Sequence, residues 1–123
     1  MVFIKFLLDI DQLFCRSYVN RFDVFLINLD PTVGSEIKKA RPCLIISPDE
    51  MNRYIRTVIV APMTTAGKDY PTRIFCEFQG RKGQIVLDQI RTIDKTRLIR
   101  KVGAIDPKIQ AEVISTLQSI FAY

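Results

Sequence analysis

The stretch Arg73–Leu87, RIFCEFQGRKGQIVL, decides the fold. Two short runs rich in β-branched and aromatic residues, Arg73–Phe78 and Gln84–Leu87, flank the polar connection Gln79-Gly80-Arg81-Lys82-Gly83. Runs of this kind joined by a short glycine-bearing segment predict a β-hairpin. The same grammar extends upstream. Thr57–Ala61 (TVIVA) is wholly apolar and stops at Pro62, the pattern of a central strand covered on both faces. Before it, Pro42–Ser47 (PCLIIS) is a second strand, and Pro48–Tyr54 supplies a short helical turn between the two. Phe22–Leu29 (FDVFLINL) opens the series and is ended by Asp30-Pro31, since proline offers no ladder donor. Downstream, Ile90–Ile93 and Leu98–Ile105 read as one more strand pair. A helix from about Asp106 to Phe121 closes the chain, with Asp106 as N-cap and Pro107 at the first helical position. Ile109, Val113, Leu117, Ile120 and Phe121 fall on one face of it. The expectation is a mainly β domain, a curled antiparallel sheet or small barrel with a C-terminal helix.

At 123 residues there is room for one domain with one hydrophobic core. The formal net charge of +5 favours polyanionic partners, nucleic acid or an anionic membrane surface. Cys15, Cys43 and Cys76 are an odd count without CxxC spacing, which points to reduced thiols in the cytoplasm. With no histidine in the chain, the commonest metal ligand and the commonest catalytic base are both missing. The apolar stretch Met1–Ile10 is too short to span a bilayer and lacks a basic n-region and a small-residue cleavage site, so neither a membrane anchor nor a secretory signal is expected. Residues 1–20 are read as an N-terminal extension to a domain at 21–123, with Val19 as an alternative start.

The chemistry has to come from arginine, hydroxyls and carboxylates. No phosphate-cradling glycine motif is present, and the carboxylates are too scattered to form a metal cage. Thr32–Ala40 is long for a connection in a compact domain, as functional loops often are. In Arg41-Pro42 the proline opens a strand and holds the preceding residue extended, at the mouth of that loop. A guanidinium there serves either to grip a phosphate or to pair on the surface with a carboxylate such as Glu36. Thr64-Thr65 follow the central strand, placed to bond a phosphate or merely to satisfy a turn. Lys38, Lys39, Arg91 and the basic residues after it form either a solvated face or a phosphate track. Asp88-Gln89 continue an apolar strand, where they orient a reacting group or fix a strand bend.

Read in order, Asp23-Val24, Leu29-Asp30-Pro31, Gly34-Ser35-Glu36, Arg41-Pro42, Ser47-Pro48, Ala61-Pro62-Met63-Thr64-Thr65 and Asp88-Gln89-Ile90-Arg91-Thr92-Ile93-Asp94 resemble the MazF/PemK toxin family. The resemblance runs from Arg21 to the C-terminus. It implies an SH3-like barrel of strongly curved antiparallel strands with a C-terminal helix, usually a homodimer. It also implies a sequence-selective mRNA interferase that cuts single-stranded RNA without metal or cofactor and is neutralised by a cognate antitoxin. Carried onto this chain, the family's catalytic positions fall on Arg41, Thr64 and Glu36. Lys38, Lys39, Thr65, Asp88, Gln89 and Arg91 are the residues expected to contact RNA. The chain departs from PemK-type members in having Val86 where they carry an arginine, and in lacking their first-loop histidine. The expected reaction is attack by the RNA 2′-hydroxyl on the adjacent phosphorus, leaving a 2′,3′-cyclic phosphate and a 5′-hydroxyl. A second reading is a CcdB-like toxin that binds and poisons DNA gyrase without cutting anything, because fold alone does not fix function.

Overall fold

The structure, a computed structural model, describes residues 19–65 and 67–122. All but the last two residues of the expected N-terminal extension therefore lie outside the described residues, while Val19 itself is buried. Seven strands and two helices follow one another as β1 (Asp23–Asn28), β2 (Ala40–Ile45), α1 (Asp49–Tyr54), β3 (Thr57–Thr64), β4 (Arg73–Phe78), β5 (Arg81–Val86), β6 (Arg91–Asp94), β7 (Leu98–Ala104) and α2 (Pro107–Phe121). The strands pair antiparallel in the order β4-β5-β3-β2-β1-β7, with β6 also on β3. The fold is the expected one, a strongly curved half-barrel carrying a C-terminal helix.

Alternation along the central strands sends side chains to two separate cores. Val24, Leu44, Ala61, Met63 and Ile85 face α2 and meet Val113 there. Phe25, Ile27, Cys43, Ile45, Val58 and Val60 form the second core on the other face, with Val19 and Ile93. Covering both faces is why PCLII and TVIVA are continuous apolar runs rather than alternating ones. Each fully buried Val, Leu or Ile contributes roughly 1.5–3 kcal/mol relative to exposure. Helix α2 is capped as expected, the Asp106 side chain accepting from Ile109 N at 3.0 Å. Its apolar stripe runs past the sheet, however, and Ile120 and Phe121 are exposed.

Four strand expectations are corrected. β3 does not stop at Pro62 but continues to Thr64. Ile46 N donates to Ile59 O, so alternate residues Ile59, Ala61 and Met63 direct their backbone bonds to β2, and Pro62 directs its own to the other side. There β6 has ended at Val60 and β5 begins only at Met63, so the missing N–H costs no ladder bond. β2 likewise begins at Ala40, which puts Arg41 inside the strand opposite Ile27 rather than at its mouth. The β4–β5 connection is two residues, not five, because Gln79 and Gly80 both adopt left-handed φ values of 51° and 76°. Finally, β6 and β7 do not pair with each other. The 3-10 turn Lys95–Arg97 carries the chain from β3's side of the sheet to β1, and Lys95 is buried there with its Nζ donating to Asn52 O.

Candidate active site

β2 begins, β3 ends and the β4–β5 hairpin turns at the same corner of the sheet. Between them lies an open groove of about 340 Å³, lined by Arg41, Thr64 and Thr65 among others. The strand register explains the meeting. Carried two residues past the Cys43–Pro62 pair, the β2–β3 register sets Arg41 opposite Thr64. Thr64 in turn pairs with Gln84 on β5. Arg41 Nε donates to Lys38 O at 3.0 Å, which fixes the guanidinium and leaves both terminal nitrogens without a partner among the described residues. The expected alternative, an ion pair between Arg41 and Glu36, is not formed.

Close approach at this corner depends on two glycines. A Cβ on Gly83 would lie 2.6 Å from Thr64 O, so only glycine lets β5 reach the end of β3. A Cβ on Gly67 would lie 2.1 Å from Gln84 Oε1. Gln84 is buried on the groove wall, its Nε2 donating to Lys68 O at 3.0 Å. That bond fixes which end of the amide is nitrogen and leaves Oε1 as a buried acceptor without a partner.

The remaining candidates gather elsewhere. Glu36, Asp88, Gln89 and Arg91 line a second groove of about 260 Å³, bordered by Pro62. Glu36 folds back on its own turn and accepts from Val33 N. Gln89 Oε1 accepts from Ile37 N at 3.0 Å, and Arg91 Nη1 donates to Leu29 O at 3.2 Å. Gln89 therefore holds the 30–39 loop itself and Arg91 the residue that leads into it. The loop closes on itself through Leu29 N to Lys39 O at 3.1 Å and Lys39 N to Asp30 Oδ1 at 3.0 Å, leaving Lys38 and Lys39 exposed at its end. Asp88, expected to extend a strand, sits in a 3-10 turn and takes Thr72 Oγ1 at 3.0 Å and Arg73 Nε at 3.2 Å. Burial alone would raise its pKa; the bonds from Arg73 and Thr72 and the arginine's charge outweigh it and hold the carboxyl below the usual carboxylate range. Arg73 also lies 4.8 Å over the Tyr70 ring.

Gln84, Arg81 and Lys82 line the first groove and are absent from the residues read off the sequence. The available signal was a glutamine beside Ile85 in a hydrophobic strand, and an arginine–lysine pair set between two glycines. Among the described residues, no group of three or more His, Cys, Asp or Glu side chains is placed to hold a metal ion. No described helix is long and apolar enough to cross a membrane.

A half-barrel of this topology with a C-terminal helix is the architecture of a known class of toxin. The family model for the PemK-like, MazF-like toxin of type II toxin–antitoxin systems matches residues 20–121. Endoribonuclease EndoA of Bacillus subtilis is 39% identical over 106 residues, 81% of this chain and 91% of that protein. Endoribonuclease PemK of Escherichia coli is 34% identical over 85% of this chain and 84% of its own. Among solved structures, MazF of Deinococcus radiodurans superposes with a TM-score of 0.76 at 24% identity, covering 85% of this chain and 96% of that one. A mycobacterial endoribonuclease in complex with its cognate antitoxin gives 0.72 at 22%, over 85% of this chain and 98% of its own. The chain belongs to the PemK-like, MazF-like toxin family.

Proposed function

We propose that this toxin cleaves single-stranded mRNA at selected sequences, without a metal ion, through attack of the 2′-hydroxyl on the neighbouring phosphorus. That the chain is an endoribonuclease rests on relatives of that name at 34–39% identity over most of its length. The gyrase-binding alternative has no support among them. The observation that carries the mechanism is the shared groove of Arg41 and Thr64.

Arg41, with two terminal nitrogens unoccupied, stabilises the charge that accumulates on the phosphoryl oxygens and hands a proton to the leaving 5′-oxygen, which solvent then restores. Thr64 orients the phosphate. Of the two carboxylates, Glu36 is the better proton acceptor, because Asp88 is held by Arg73 and Thr72. Glu36 lines the adjoining groove, so it takes the 2′-hydroxyl proton through a water between the two grooves. Products are a 2′,3′-cyclic phosphate and a 5′-hydroxyl. Single strands are the substrate because their bases are free to splay and be read. Lys38, Lys39 and Thr65 are exposed to contact the backbone, and Asp88, Gln89 and Arg91 shape the second groove. A homodimer and a cognate antitoxin complete the reading; exposed Phe75, Ile99 and Phe121 leave apolar surface for such contacts. Light scattering on the purified chain checks the dimer.

Arg41→Ala, assayed with EDTA present on a labelled oligonucleotide, tests the mechanism. The wild type is expected to cut regardless of chelator, and the variant about a hundred- to a thousand-fold more slowly with an unchanged melting temperature. Undiminished cleavage removes Arg41 from the reaction; wild-type cleavage abolished by EDTA removes the metal-free scheme.

A further inference from the structure

The wall of the first groove facing Arg41 is the β4–β5 hairpin, and its chemistry is one-sided. Arg81 and Lys82 line the groove, and no acidic side chain does. Among the described residues neither makes a side-chain hydrogen bond or ion pair. Lys82 stands directly across from Glu77 in the strand pair, yet the two form no bond. Arg81 and Lys82 follow one another in β5, so their side chains leave on opposite faces and bracket the rim of the groove that holds Arg41; a bound anion there would meet positive charge from three residues.

The hairpin also holds these cations in a fixed place. Its turn consists only of Gln79 and Gly80, both left-handed, so Arg81 is the first residue of β5 and pairs with Phe78. Gln79 carries the cost of a left-handed backbone at a residue with a Cβ. Its side chain offsets that cost by donating from Nε2 to Val102 O at 2.6 Å, which ties the hairpin tip to β7. Further along β5, Gly83 lets the strand lie close against Thr64, which pairs with Gln84. Arg81 and Lys82 thus stand between two anchors, which is the preorganisation an anion site needs.

We propose that Arg81 and Lys82 form a second phosphate subsite, holding a backbone phosphate next to the scissile one on Arg41. This rests on the reading of the chain as an RNA-cleaving enzyme. The groove volume of about 340 Å³ lies at the low end of the range for small-molecule sites, room for a single nucleotide rather than a duplex. The subsite binds substrate without touching the reacting atoms, so it sets affinity and its salt dependence and leaves the chemical step alone.

The test uses the full chain and a 2′-O-methyl oligonucleotide, which lacks the attacking hydroxyl and reports binding alone. For Arg81→Gln and Lys82→Gln, the slope of log affinity against log salt is expected to fall by about 0.7 each, and by about 1.4 for the pair. Arg53→Gln, an exposed arginine on α1 away from the groove, leaves the slope unchanged. On the ribo-oligonucleotide, KM rises in both hairpin variants while the saturating single-turnover rate stays at the wild-type value. A wild-type salt slope in the double variant overturns the subsite, as does a collapsed saturating rate with the slope intact. A wild type that binds but cuts no RNA fails the nuclease reading instead, and the slope still decides the subsite.

Discussion

Gly83 is the residue whose replacement says most about the corner where Arg41 and Thr64 meet. Gly83→Ala brings a Cβ to 2.6 Å from Thr64 O, a backbone atom that has no rotamer through which to escape. The expected outcome is a stability loss of about 1–3 kcal/mol in urea denaturation, with a larger fractional loss of cleavage because Thr64 itself is displaced. Asp88 gives a prediction in pH. Its folded pKa lies below the ordinary 3.8, so the Arg73 pair stabilises the fold above the unfolded value and fades as pH drops through that range. Asp88→Asn is expected to lower the melting temperature slightly at neutral pH and to flatten its decline in acid. The carboxylate is partly exposed, at 35%, which keeps the effect at about 1 kcal/mol or less. Cys43 is the buried opposite case. Burial drives its thiol up to about 12, against the lowering pull of Arg91 and Arg41. A thiol reagent at neutral pH is expected to spare Cys43 until the protein is unfolded, as peptide mapping would show.

Helix α1 has only six residues and would not persist alone. A buried polar stitch holds it. Ser47 Oγ donates to Asn52 Oδ1 at 2.6 Å, Asn52 Nδ2 donates to Ser47 O at 2.9 Å, and Ile59 N donates to Ser47 Oγ at 3.0 Å. Asn52→Ala strands these buried groups and is expected to cost about 1–3 kcal/mol by thermal or urea unfolding. Cleavage by the folded fraction should survive, since α1 does not line the groove. The same contrast shows what was legible in the sequence. Strand existence followed from apolar runs, and α2 from its cap and stripe. The ends of β2 and β3 were misplaced because proline breaks a ladder only where a partner is present, and partners are not visible locally. The two-residue turn was hidden because Gln79 seldom adopts left-handed φ, and the bond to Val102 that compensates is made 23 residues away. Arg41 and Thr64, singled out through ordered motifs, line one groove. That Glu36 and Asp88 line a different groove depends on sheet curvature, which no local pattern carries.

At the scale of the molecule, the described strands of the curled sheet end on β4 at one side and β7 at the other. Among the described residues no strand pairing joins the two, and the Gln79 side chain reaches across to Val102 O. Gln79→Ala keeps a Cβ at the same left-handed position, so it removes the crossing while leaving the turn's backbone cost nearly as it was. Deuterium uptake is then expected to quicken along Val102–Ala104 and the hairpin, with β2 and β3 as slow as before. The barrel would then breathe along the seam where Phe78 still packs on Gly103, like a sleeve with one of its buttons undone, and a ribonucleotide lodged against the hairpin would feel that loosening first as a shorter residence time.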